Sequence, residues 1–211
     1  MNPINPERLP LQIDAHGWCP QAQQLRSPNC DARAAGVAID VLVIHNISLP
    51  PQQYGGPYIA QLFTNTLDFD ADPYFDQLRA LRVSSHFVIR RDGGLQQFVS
   101  TLQRAWHAGV SQLGDRTRCN DFSIGIELEG SDVDAFSDLQ YACLCQLSHA
   151  LQQAHSLYAV TGHQHIAPGR KTDPGPCFDW QRYHAQWIAA LSPNVMAAMP
   201  LFVTVAQKTQ P

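Results

Sequence analysis

Between Thr161 and Pro176 the chain gathers imidazoles, a carboxylate and cations into one short stretch, Thr161-Gly162-His163-Gln164-His165-Ile166-Ala167-Pro168-Gly169-Arg170-Lys171-Thr172-Asp173-Pro174-Gly175-Pro176. Its prolines fix φ, and Gly169 and Gly175 are free to take positive φ, so it reads as an irregular loop, neither helix nor strand. Rigid scaffolds place chemistry on loops of this composition. His163 and Asp173 suit Zn²⁺, and a catalytic zinc takes three protein ligands and leaves the fourth position to water. The best third donor is His45, at the end of Ile39-Asp40-Val41-Leu42-Val43-Ile44. That β-branched apolar run reads as a buried strand. Open α/β sheets present functional groups at the carboxyl ends of their strands. A lone histidine is ordinarily a satisfied core or surface imidazole; three suitable donors together point to a metal.

A second pattern supplies carboxylates. Ser123-Ile124-Gly125-Ile126-Glu127-Leu128-Glu129 alternates with period two, so Glu127 and Glu129 share one face of a strand with Gly125. The pattern alone does not choose between the two glutamates. A phosphate-binding loop at Gly169-Arg170-Lys171-Thr172 is excluded, because the upstream glycine is missing and Pro174 and Pro176 prevent a following helix.

The runs Val43-Ile44-His45-Asn46-Ile47-Ser48-Leu49-Pro50-Pro51, Arg118 through Gly130 and Gly162 through Pro176 resemble the AmpD-type amidases. These are zinc N-acetylmuramoyl-L-alanine amidases of the peptidoglycan-recognition superfamily. The match runs in order from about Gly17 to about Tyr183, and motifs of this length are far more specific than a short pattern. The resemblance implies His45, His163 and Asp173 as zinc ligands, Glu127 as general base and Lys171 as cationic stabiliser of the transition state. In isolation Arg170-Lys171 would read as a solvated basic turn. The segment Arg104 through Ser111 also matches and is expected to wall the cleft. Asn46, Arg82, Trp106, His107 and Arg118 are the expected substrate contacts. The two arginines suit peptide carboxylates, which a guanidinium grips bidentately, and Trp106 suits an apolar face. One departure stands out: relatives carry aspartate where this chain has His165.

The function implied is hydrolysis of the amide between the lactyl group of 1,6-anhydro-N-acetylmuramic acid and L-alanine, during cell-wall recycling. Two competitors are an exported or phage-type amidase acting on intact peptidoglycan, and a non-catalytic muropeptide-binding module. The intact ligand set argues against the module. The start of the chain lacks a basic region followed by an apolar core, which argues against export and for the cytoplasm.

The elements that must position these groups read as one α/β domain, a mixed central β-sheet flanked by helices, with the amidase fold implied by the resemblance. The expected boundaries are an N-terminal extension 1–16, the amidase domain 17–191 and a C-terminal tail 192–211. A strand over Leu81–Arg90, a turn at Arg91-Asp92-Gly93-Gly94 and a strand over Leu95–Val99 make a hairpin. Asp72-Pro73 starts a helix running through about Leu81. Ser137-x-x-Gln140 is a capping box opening a helix to about His155, with Leu144, Leu147 and Leu151 at helical spacing. Asp179 caps a last helix whose Trp180, Trp187, Ile188 and Leu191 face inward. Gln52 through Pro57 is a candidate gate to the cleft.

The chain has 211 residues, with 14 Lys+Arg against 18 Asp+Glu and a formal charge of −4. That charge leaves no footprint for nucleic acid or an anionic membrane. The apolar run Val195–Ala206 is too short to span a bilayer. No obligate protein partner is indicated, and the six cysteines read as buried free thiols.

Overall fold

Three apolar runs lie side by side at the centre of the protein. The computed structural model describes residues 10–189 and 200–204. Its strands are β1 (Gln23–Gln24), β2 (Cys30–Ala32), β3 (Val41–Ile47), β4 (Phe87–Ile89), β5 (Leu95–Gln97), β6 (Gln103–Ala105), β7 (Gln112–Leu113), β8 (Arg116–Thr117), β9 (Ser123–Glu129), β10 (Ala159–Gly162) and β11 (Leu201–Val203). Its α-helices are α1 (Tyr58–Phe63), α2 (Asp138–Ala154), α3 (His163–Ile166) and α4 (Trp180–Ala189). Seven strands form one sheet in the order β1-β5-β4-β9-β3-β10-β11. Of its pairs only β4–β5 is antiparallel. The architecture is the mixed, helix-flanked α/β sheet that the sequence implies.

Strand alternation sorts the side chains into two layers. Leu42, Ile44, Ile124, Ile126, Leu128 and Val160 pack in one core with Leu144, Leu147 and Leu151 of α2 and Tyr183 and Trp187 of α4. Each such large apolar side chain contributes about 1.5–3 kcal/mol when fully buried. Val41 and Val43 point the other way, against Ala108, Cys119, Phe122 and Ile166. By the same alternation His45 and Glu127 share that second face, away from the two long helices.

Local signals explain the helices. Ser137 Oγ accepts the Gln140 N–H at 3.2 Å, and Gln140 Oε1 accepts the Ser137 N–H at 3.0 Å, so the capping box opens α2 where expected. Asp179 Oδ1 accepts the Arg182 N–H at 2.8 Å and opens α4. Tyr183 joins Trp187 as the buried stripe of α4, while Trp180 and Ile188 are half-buried. Leu191 lies outside the described residues.

Several elements differ from their expected form. The helix from Asp72 is a 3₁₀ helix, Pro73–Leu78, with Asp72 accepting from the Tyr74 N–H. The strand expected over Leu81–Arg90 contracts to β4. Before it, the Ser84 N–H donates to the Trp106 carbonyl and the Ser85 hydroxyl to the Phe87 carbonyl, and the strand begins only at Phe87. β3 continues through His45 to Ile47.

The sheet also extends beyond the boundary expected at 191. β11 pairs with β10, and Phe202 packs against Trp180, Tyr183 and Trp187. Leu11 and Ile13, from the expected N-terminal extension, pack on the α2–α4 core. The rest of both extensions (residues 1–9, 190–199 and 205–211) lies outside the described residues. Cys19, Cys119 and Cys145 are buried thiols, and Cys30 and Cys177 are half-buried. Among the described residues no helix is long and apolar enough to cross a membrane.

Candidate active site

Strand register brings the distant groups together. In β3 and β9 His45 stands beside Glu127, and in β3 and β10 Ile44 stands beside Gly162. His163, the next residue after Gly162, therefore emerges next to His45. The chain then returns, and the Gln164 N–H donates to the Asp173 carbonyl at 2.7 Å. Asp173 Oδ2 lies 2.9 Å from His45 Nδ1 and 3.0 Å from His163 Nδ1, and the two Nδ1 atoms are 3.0 Å apart.

The stretch expected to be wholly irregular in fact begins as the end of β10 and one helical turn, α3. His165 makes that turn, because its Nδ1 accepts the Gly162 N–H at 3.0 Å. This places His165 as a cap on the ligand loop, outside the ligand group. Gly162 is required by close approach: a Cβ there would fall 2.7 Å from Pro174 Cδ.

Two imidazole nitrogens and a carboxylate oxygen converging this closely fit a cation. His163 Nε2 faces the Ala108 carbonyl at 3.0 Å; a carbonyl only accepts, so Nε2 carries the proton and Nδ1 presents its lone pair. The mutual spacings are a few tenths of an ångström below the edge of about 3.3 Å expected for a tetrahedron with zinc-length bonds. His45, His163 and Asp173 thus form a group able to hold a metal ion. Burial and the facing His163 push His45 down to about 4, so it is neutral and ligand-ready near pH 7. Burial alone would raise Asp173, but the two imidazoles set against its Oδ2, His163 and His45, outweigh it and hold the carboxyl well below its usual range.

The structure separates the two glutamates that the sequence left equivalent. Glu127 is buried, and its Oε2 has no hydrogen-bond partner among the described residues. Burial, then repulsion from Asp173, raises its pKa well above the ordinary value, against the opposing pull of Lys171. Glu129 is fully engaged: Oε1 accepts from Arg90 at 3.0 Å and from the Gly55 N–H at 2.6 Å, and Oε2 accepts from the Arg91 N–H at 3.0 Å. Glu129 is a structural anchor, whereas Glu127 keeps an oxygen unpartnered among the described residues.

A cleft of about 440 Å³ opens beside the group, lined among others by Asn46, Asp132, Val133, Arg170, Lys171 and Asp173. Lys171 is exposed on its wall. Asn46 Nδ2 donates to Asp132 Oδ1 at 2.8 Å and to the Pro174 carbonyl at 3.0 Å, which ties two cleft loops together. Trp106 is half-buried, with its Nε1 unpartnered among the described residues. His107 turns toward His45, with its Nδ1 2.9 Å from His45 Nε2. Arg82 is exposed, with its guanidinium on the Arg79 and Leu81 carbonyls, and Arg118 is exposed and paired with Asp121 at 3.2 Å. Neither arginine lines the cleft. The Gln52–Pro57 segment is pinned: Tyr54 Oη bonds Ser131 and Asp134, and Arg90 holds the Gly56 carbonyl.

Two contributors escaped the sequence reading. Arg170 donates to the Ala108 carbonyl at 2.8 Å and the Val110 carbonyl at 2.5 Å, clamping the main chain that holds His163. Asp132 bonds Asn46, and its side chain crowds the α-hydrogen face of Gly175. Neither has a sequence signal, because each role exists only once distant loops meet.

Two imidazoles from the carboxyl ends of the parallel strands β3 and β10 and a carboxylate from the returning loop meet at one point, beside a buried glutamate unpartnered among the described residues and a polar cleft, and together carry the donor set of a metal-assisted hydrolase. The family model for N-acetylmuramoyl-L-alanine amidase matches residues 35–176, and the chain belongs to that family. The 1,6-anhydro-N-acetylmuramyl-L-alanine amidase AmpD of Escherichia coli K12 is 53% identical over 169 residues, covering 79% of this chain and 92% of the relative. A crystal structure of a selenomethionine AmpD derivative superposes with a TM-score of 0.78 at 51% identity, covering 81% of this chain and 96% of the other. Escherichia coli AmiD, solved with the substrate anhydro-N-acetylmuramic acid-L-Ala-D-γ-Glu-L-Lys, superposes with a TM-score of 0.53 at 30% identity. That comparison covers 73% of this chain and 60% of the AmiD chain.

Proposed function

We propose that this amidase is a zinc enzyme of cell-wall recycling that acts in the cytoplasm on 1,6-anhydro-N-acetylmuramyl peptides, releasing the peptide from the sugar's lactyl group. The convergence of His45 Nδ1, His163 Nδ1 and Asp173 Oδ2 within 2.9–3.0 Å of one another carries the reading. The AmpD and AmiD relatives support the substrate class.

Two histidines and one carboxylate suit zinc, and the three-ligand count leaves a position open for chemistry. When bound, the ion supplies Lewis acidity that acidifies water to a pKa of about 7 and polarises the scissile carbonyl. Glu127 takes the proton of the attacking water as the new C–O bond forms. It returns that proton to the amine nitrogen of L-alanine as the C–N bond breaks, a role worth roughly 10²–10⁴-fold. Among the described residues no partner competes for Glu127 Oε2, which leaves it free for both transfers. Lys171, at the cleft wall, stabilises the developing oxyanion with fixed positive charge. Asn46 holds the two cleft loops in the spacing the peptide must enter.

Mass spectrometry of zinc-loaded protein incubated with anhydro-muramyl tripeptide tests the reading. Free tripeptide and free anhydro-N-acetylmuramic acid are expected. Tight binding without release, or cleavage of intact sacculi in preference to the anhydro-muropeptide, would contradict it.

A further inference from the structure

We infer that His107 is a positioning residue for the metal ligand His45, fixing which nitrogen of that ligand faces the metal through a one-way chain of hydrogen bonds. The inference rests on the metal-site reading above and extends it to residues that do not touch the ion.

The chain is anchored at a main-chain carbonyl. The Ser123 hydroxyl donates to the Cys119 carbonyl at 2.5 Å. With its proton so used, Ser123 Oγ is left to accept from His107 Nε2, 3.2 Å away. A neutral imidazole has one N–H, so His107 Nδ1 then carries a lone pair. That Nδ1 lies 2.9 Å from His45 Nε2, which must therefore be the protonated nitrogen of His45. The lone pair of His45 is left on Nδ1, the atom that converges with His163 and Asp173. Each step follows from the one before, because a carbonyl can only accept.

The fold makes room for this arrangement and holds it still. Gly125 faces the His107 ring, and a Cβ there would fall 2.6 Å from its Cγ and Nδ1. The His107 and Ala108 N–H groups both donate to Asn120 Oδ1, at 3.2 Å and 2.7 Å, which fixes the main chain carrying the ring. His45 and His107 meet edge to face with centroids 5.1 Å apart. Metal-bound histidines usually give their second N–H to a carboxylate, a carbonyl or water. His163 follows that habit through Ala108, whereas His45 uses a second imidazole whose own orientation is set by Ser123. With both ring nitrogens occupied in this way, His107 holds the ligand and does not read substrate.

Zinc affinity of the full chain, measured by competition with a chromophoric chelator, tests the inference alongside steady-state kinetics. His107→Leu, which removes the acceptor, is expected to weaken zinc 10–100-fold, with KM unchanged once zinc is saturating. His107→Asn, whose Oδ1 can stand where Nδ1 stands, should recover most of that loss. If His107→Leu does not fold, the near-isosteric Ser123→Ala tests the same chain. Without an acceptor at 123, the His107 proton can move to Nδ1 and oppose that of His45, so zinc should weaken several-fold. Unchanged zinc affinity in either the Leu or the Ser123→Ala variant, or a KM increase at saturating zinc in His107→Leu, would overturn the inference. Wild-type protein that binds no zinc would instead overturn the metal-site reading beneath it.

Discussion

Glu127 and Glu129 lie two positions apart on one face of β9, yet their surroundings give them opposite work. Glu129 satisfies Arg90 and two backbone N–H groups, so Glu129→Gln breaks a buried ion pair and is expected to cost about 3 kcal/mol, read by chemical denaturation. Glu127→Gln should leave the fold intact and lower turnover by roughly 10²–10⁴-fold. It should also stabilise the metal-free protein. The folded state raises the pKa of Glu127 above the ordinary 4.5, so it holds that proton more tightly than the unfolded chain does. That contribution is fully present below the unfolded value and is lost as pH rises through the folded one. The uncharged Glu127→Gln variant is therefore expected to exceed the wild type by about 1–3 kcal/mol at pH 7 and to match it at pH 4. Equal stability at pH 7 would contradict the unpaired burial of Glu127. The sequence placed both carboxylates on one face and could go no further, because the groups that distinguish them come from Gly55, Arg90, Arg91, Lys171 and Asp173. For Arg82 and Arg118, expected from the resemblance as substrate contacts, residue type suggests carboxylate binding; in this structure their guanidinium groups meet local carbonyls and Asp121 on the exposed surface.

At the scale of elements, long periodic segments were legible and short ones were not. β9 and α2 occupy the expected residues, because seven alternating positions and a reciprocal cap leave little choice. The apolar run predicts a strand ending at His45, whereas pairing with β9 carries β3 two residues further, to Ile47. The two- and three-residue strands β1, β2 and β6 through β8 are too short for periodicity to register. Turn residues pointed to an irregular ligand loop, but His165 supplies a cap to Gly162 that lets His163–Ile166 close one helical turn. Gly125 is the position on β9 that faces the His107 ring. Gly125→Ala sets a methyl group 2.6 Å from the His107 ring, which must then shift against His45. Zinc affinity is expected to fall by about tenfold, in the range typical of groups behind a ligand, and isothermal titration checks it. Wild-type affinity would show that the ring has room to spare.

The whole molecule is a sheet with its structural core on one face and its chemistry on the other. α2 and α4 cover Leu42, Ile44 and their neighbours, while His45, Glu127 and His163 emerge on the opposite side. Class and layering were readable from the interleaved strand and helix signals, but the extent of the folding unit was not. The apolar character of Leu201–Val203 is too brief to announce a strand, yet it closes the β10 edge. Phe202→Ala is expected to destabilise the protein by about 2 kcal/mol, less than a fully buried phenylalanine because Phe202 is half-buried. No loss in a denaturation midpoint would mean that β11 adds nothing to the domain. In the proposed mechanism amide hydrolysis depends on one ion held by His45, His163 and Asp173. That dependence is tested most directly by adding zinc stepwise to metal-free protein and following tripeptide release from anhydro-muramyl tripeptide. Activity should rise linearly, break at one zinc per chain, and fail to appear in Asp173→Asn; full turnover without zinc, or an undiminished rate in Asp173→Asn, would contradict the account.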